Sequence, residues 1–181
     1  LLPDRIAHFW LVTEAETFRP GSSFFDRNLE MGFHSLTALS QELGSMELSA
    51  PLHISVFTSG AVSLRTEPLP YPEKAMVAGP AGVIPREFPL ISCSTIDLEL
   101  PQKPPLFERL KGVQPLDLTP YILEDLLADP KSTQVAWRGN KRYEKAWKPL
   151  RLGDSTEARS KFRKGGCYLI TGGYGGIGLT L

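Results

Sequence analysis

Between Thr171 and Gly178 the chain reads TGGYGGIG, and Gly173, Gly175 and Gly178 are spaced as G-x-G-x-x-G. A dinucleotide needs this pattern for physical reasons. The first glycine permits a tight turn, and the second lets the backbone approach a pyrophosphate. The third allows close packing of the following helix on its strand, and the first N–H groups of that helix face the negative charge. Tyr168 to Thr171 supply the expected preceding strand, and Gly172 and Gly176 add further glycines. The cofactor-binding candidates are therefore Thr171, Gly172, Gly173, Tyr174, Gly175, Gly176, Ile177 and Gly178. An ordinary glycine-rich turn is the competing reading.

Other groups carry less chemistry. Asp97 and Glu99 share one strand face near its carboxyl end, where α/β sheets place ligands; a solvated strand end is the expectation. His8 falls within an apolar run and reads as a hydrogen-bonded core residue. His34 and His53 lack metal-ligand spacing. Ser59 is not in a G-x-S-x-G elbow. Cys93 and Cys167 lie in strand-like stretches and read as buried thiols in a reducing cytosol, with a single disulfide as the alternative.

The elements that must position these groups follow from periodicity. The chain has 181 residues, 41% hydrophobic and 22% charged, with zero formal net charge. These are the proportions of a globular domain, with no global drive towards nucleic acid or anionic membrane. No apolar run approaches the ~20 residues of a membrane span, and the start carries no secretory signal. Ile6 to Thr13 is a strand apolar enough to be buried on both faces. Phe25, Leu29, Gly32, Leu36, Leu39 and Leu43 form one helical stripe, stopped at Gly44. Gly32 costs that helix roughly 1 kcal/mol in propensity relative to Ala, which close approach to the sheet can offset.

Leu52 to Gly60 is a second strand. Pro72 opens a short helix from Glu73 to Ala78, closed by Gly79 and Pro80. A third strand follows from Leu90, with Ile96, Leu98 and Leu100 on one face. Thr119, Pro120 and Pro130 delimit a helix whose buried face is Ile122, Leu123, Leu126 and Leu127. Thr133 to Leu150 reads as a hairpin turning at Gly139-Asn140. From Arg138 to Lys164, ten Lys/Arg against three acids leave +7; a solvated hairpin and linker is the reading, with a nucleic-acid patch as the alternative. The order predicts an α/β class: a truncated Rossmann-like, mostly parallel sheet with flanking helices and a late antiparallel hairpin. The expected division is 1–152, a linker over 153–165, and a strand and glycine loop over 166–181.

CYLITGGYGGIGLTL resembles the opening of the catalytic half of a ketoreductase domain from a modular type I polyketide synthase. That family's motif, T-G-G-x-G-G-x-G, is matched at every position from Thr171 to Gly178. LPDRIAHFWLVT, MGFHSLTALSQEL, AGPAGVIPREFPLISCSTIDL and QVAWRGNKRYEKAWKPL resemble, in order, the structural subdomain that precedes it. The resemblance covers most of the chain and is weakest over PQKPPLFERLKGVQ. It implies a scaffold that binds no cofactor itself and braces a catalytic subdomain. The complete domain reduces, with NADPH, the β-ketone of a chain carried on the phosphopantetheine arm of an acyl carrier protein. The implied partners are the catalytic subdomain, the acyl carrier protein and other synthase domains.

Two departures stand out. A further strand and helix usually precede the equivalent of LPDRIAHFW. The family's catalytic serine, tyrosine, lysine and asparagine follow the glycine loop, so none is assigned here. The expectation is a fragment cut at both ends, inactive alone, binding a dinucleotide poorly or not at all. The alternative is a non-catalytic pseudo-reductase that organises neighbouring domains.

Overall fold

A computed structural model describes residues 3–13, 23–101, 107, 114–151 and 163–180. The chain divides into two units, Leu1–Ala146 and Trp147–Leu181.

The first unit is a five-stranded sheet in the order β1 (Arg5–Leu11), β2 (Leu52–Ser59), β3 (Ile91–Leu98), β4 (Gln134–Arg138), β5 (Lys141–Glu144). The first four strands run parallel, and β4 and β5 are antiparallel. With its flanking helices this is the expected α/β, Rossmann-like arrangement. Every residue of β2 is buried, as a central parallel strand requires. β1 lies at the edge, which corrects the expectation that both its faces are covered. Phe9 is 39% exposed and Trp10 61%, because no described strand pairs beyond them.

Three helical stretches follow β1: α1 (Ser23–Leu29), a π turn (Glu30–His34) and α2 (Ser35–Ser45). The π turn resets the helical register. The deepest residues become Asn28, Gly32, Leu36, Ser40 and Leu43, rather than the simple stripe beginning at Phe25. A Cβ on Gly32 would stand 2.8 Å from Leu11 Cδ1, so this glycine does make the close approach to β1. Gly44 does not stop α2, which continues to Ser45. Its lack of a side chain makes room for the Phe88 ring, 2.1 Å from where a Cβ would sit.

The segment after β2 holds a 3-10 turn (Pro72–Val77) running straight into α3 (Ala78–Glu87). Gly79 and Pro80 therefore open a helix instead of closing one. Pro80 lies in the first turn, where no intrahelical N–H is needed. Pro85 interrupts the last turn, and the helix ends two residues later.

Two apolar layers hold the sheet. On the first face, Leu36 and Leu43 of α2 and Val77, Ala81 and Ile84 pack on Ile54, Val56 and Cys93. On the second face, Tyr121, Ile122 and Leu126 of α4 (Thr119–Leu127) pack on Phe57, Ile96, Val135 and Trp137. Leu123 and Leu127 are 48% and 75% exposed, which corrects the expected α4 face: its inner row is Leu118, Tyr121, Ile122 and Leu126. The steps β2 to β3 and β3 to β4 move the same way across the sheet with helices on opposite faces. Gly139, at φ 58°, turns β4 into β5, as the hairpin reading requires.

Candidate functional site

The glycine segment lies in the second unit. Tyr168–Ile170 is not hydrogen-bonded as a strand, and Thr171–Thr180 is a succession of turns. This corrects the expected strand: a strand exists only against a neighbour that takes up its N–H and C=O groups, and none pairs with it among the described residues. Leu169 is 94% exposed and Tyr174 99%.

The loop nevertheless has defined geometry. Gly172 takes φ 74°, a left-handed conformation that glycine adopts without steric cost. The Gly175 N–H donates to the Gly172 carbonyl at 2.9 Å, and the Leu179 N–H to the Gly175 carbonyl at 3.0 Å. The second bond closes one helical turn. Thr180 Oγ1 donates to the Gly176 carbonyl at 2.8 Å. A Cβ on Gly178 would lie 2.6 Å from Gly173 Cα and 2.7 Å from the Gly172 oxygen. The third glycine of the motif thus lets the loop close on its own first glycines, rather than on a strand. Beside Gly172 and Gly176 a Cβ would meet nothing within 4 Å.

The sheet's carboxyl ends hold the polar groups of the first unit. Asp97 is 1% exposed, which corrects the solvated-end reading. It accepts from Thr58 Oγ1 and the Ala61 N–H, each at 2.8 Å, and its Oδ2 lies 3.1 Å from Arg138 Nη2. Arg138 also reaches Glu67 at 2.9 Å and the Val62 carbonyl at 2.8 Å. Glu99 lies apart and accepts from the Gly139 N–H at 2.9 Å. The two carboxylates are therefore not a catalytic pair.

A second cluster gave no signal in the sequence. Lys74 is fully buried, and its Nζ donates to Thr13 Oγ1 at 2.6 Å and to the Ser59 carbonyl and Oγ, both at 3.1 Å. It stands 4.3 Å from the Tyr71 ring centroid. Glu73, 4% exposed, accepts from Asn28 Nδ2 at 3.4 Å. The signal that could have exposed this cluster is a lysine beside apolar residues in the first turn of what proves to be a continuous helical stretch. This amine ties the end of β1 to the end of β2.

The histidines behave as core residues. His8 Nε2 lies 2.9 Å from Ser35 Oγ, and the His53 ring nitrogens lie 2.7 Å from Ser92 Oγ and 3.0 Å from Ser94 Oγ. Burial lowers the pKa of both, and nearby Arg5 lowers that of His53 further. No metal-binding cluster exists among the described residues. Both cysteines are free. Cys93 is buried, and desolvation pushes its pKa up to about 12. Cys167 is exposed, contrary to the buried-thiol reading. In the basic segment, Arg138 is committed to Asp97 and Glu67, and Arg142 pairs with Asp125 and Glu144. Most of the predicted linker and most of PQKPPLFERLKGVQ lie outside the described residues.

No protein-family model matches the chain, and no curated protein matches it. A solved structure does: "Adenylation, ketoreductase, and pseudo Asub multidomain structure of a keto acid-selecting NRPS module". The TM-score is 0.72 at 24% identity, over 98% of this chain and 14% of that one. At that identity the likeness shows the fold, one shared with a stretch of a multidomain synthase module that contains a ketoreductase. No described helix is long and apolar enough to cross a membrane.

Proposed function

We propose that the chain is the scaffold portion of a ketoreductase in a multidomain synthase, joined to the glycine loop that begins the NADPH site. The observation that carries this reading is Gly178: a side chain there would collide with Gly173 and Gly172, so the loop needs glycine at the position the dinucleotide motif demands. The space beside Gly172 and Gly176 leaves the loop open to a diphosphate. Thr171 to Gly178 hold the cofactor's phosphates, and the five-stranded unit braces the catalytic subdomain. The bound cofactor supplies a hydride to a β-ketoacyl chain on an acyl carrier protein. The sequence resemblance favours a polyketide-type module, whereas the structural neighbour belongs to a peptide synthetase module; the reductase reading is common to both.

The test measures NADPH oxidation with a β-ketoacyl thioester. The chain alone is expected to be inactive. Joined to a ketoreductase catalytic half it is expected to support turnover, which Gly175→Val lowers about 100-fold or more. Turnover indifferent to that substitution sinks the proposal. A second reading is a pseudo-reductase that organises neighbouring domains; the structural neighbour's module also contains a pseudo domain. It predicts a folded complex with no turnover.

A further inference from the structure

We propose that α4 is a proton-released latch: when His53 takes up a proton, the last turn of the helix lets go of the sheet. The way α4 is held carries this. None of its nine residues is fully buried, and Leu127 stands mostly in solvent. Polar clasps hold its C-terminal end instead. Arg5 of β1 donates through Nη1 to the Leu126 carbonyl at 2.7 Å and to the Ala128 carbonyl at 2.9 Å. A cation there satisfies carbonyls that the helix leaves unpaired and meets the negative end of its dipole. On the other side, Asp125 accepts from Trp137 Nε1 and from Arg142.

His53 lies beside the first clasp. It is the residue of β2 in register with Arg5, so the two side chains leave the same face of the sheet. Its ring nitrogens are held by Ser92 Oγ and Ser94 Oγ. A neutral ring donates to one serine and accepts the hydroxyl hydrogen of the other. An imidazolium can only donate, so one serine must turn its hydroxyl elsewhere. A void of about 20 Å³, room for one water, is bounded by His53 and Ser94 on one side and by Asp125, Ala128 and Asp129 at the helix end.

The charges around the ring set the direction. They are Arg5 from β1, Asp125 from α4, Asp129 and Lys131 from the turn that follows, and Arg142 from β5. Asp125 is bound to Arg142. Asp129 and Lys131 are exposed and of opposite sign. Arg5 is therefore the charge left to act on the ring. Burial, and after it Arg5, depress the pKa of His53. The ring binds a proton more readily once the helix end has lifted and water reaches it. The closed latch is thus favoured above the ring's ordinary value of about 6.5 and is lost as pH falls below it. His8 bonds to Ser35 of α2, on the opposite face. The latch is independent of the glycine loop and of the reductase reading.

The test is amide hydrogen exchange on the full chain at about pH 7.5 and 5.5, read by NMR as protection factors so that the intrinsic pH dependence cancels. The amides of residues 125–128 are expected to be less protected than those of β2 at both pH values, and to lose about tenfold in protection between them. His53→Gln is expected to keep the protection at the higher pH and to abolish the fall. Arg5→Met is expected to lower protection at 125–128 at least about tenfold at the higher pH. Protection equal to that of β2, no fall, a fall that survives His53→Gln, or indifference to Arg5→Met overturns the latch. If His53→Gln fails to fold, the imidazole shifts of the unaltered chain decide: a ring midpoint below about 6.5 is expected, and one at or above it overturns the proposal.

Discussion

Lys74 has no exposed surface and donates three hydrogen bonds to groups at the ends of β1 and β2. Charge-assisted bonds are worth about 1.5–3 kcal/mol. Lys74→Met, which keeps the length of the chain, is expected to lower unfolding stability by about 2–3 kcal/mol in urea titration; a loss under about 0.5 kcal/mol contradicts the role. His53 couples the sheet to pH. Its folded pKa is depressed, first by burial and then by Arg5. The unfolded chain therefore binds the proton more readily. The stability from a neutral His53 is fully present above about pH 6.5 and is lost as pH falls below that value. His53→Gln should flatten the acid limb of the stability profile by up to about 1.4 kcal/mol per pH unit, and an unchanged limb contradicts this. The thiols differ in the same spirit. Under native conditions iodoacetamide should modify Cys167 and spare Cys93 until the chain is unfolded.

At the scale of elements, the parallel strands were legible because β2 (LHISVFTS) and β3 (ISCSTIDL) interleave apolar and polar residues at strand spacing, and the hairpin because Gly139-Asn140 sits between two short strands. The close approach at Gly32, which has no Cβ, was legible too, since a glycine inside a helical stripe needs a reason. Gly32→Val is expected to cost about 2–3 kcal/mol through collision with Leu11, read from the urea midpoint; a neutral result means β1 and the π turn are not packed as described. What the sequence hid has physical causes. Pro80 read as a break, yet the first turn of a helix needs no proline N–H. A π turn leaves no compositional mark, so the register change at 30–34 could not be foreseen. Leu123 and Leu127 fit an amphipathic stripe as well as Tyr121 does, and only the position of Trp137 selects between them. Asp97 looked like a solvated acid because its partners Arg138 and Thr58 are remote in sequence. Periodicity alone cannot show on which face of the sheet α4 will pack.

For the molecule as a whole, the proposed function divides the work: the unit spanning Leu1–Ala146 would brace a catalytic subdomain, and the backbone from Thr171 to Gly178 would take the cofactor's diphosphate. The glycine spacing in the sequence marked that loop but misjudged its setting, because a strand needs a neighbour and none pairs with Tyr168–Ile170 among the described residues. The most direct test is an NMR titration of NADPH into the full chain, comparing it with Gly178→Val. The account predicts weak, millimolar binding whose amide shifts are confined to residues 171–178 and disappear in the variant. Shifts confined to the five-stranded unit, or shifts at 171–178 that survive Gly178→Val, contradict it.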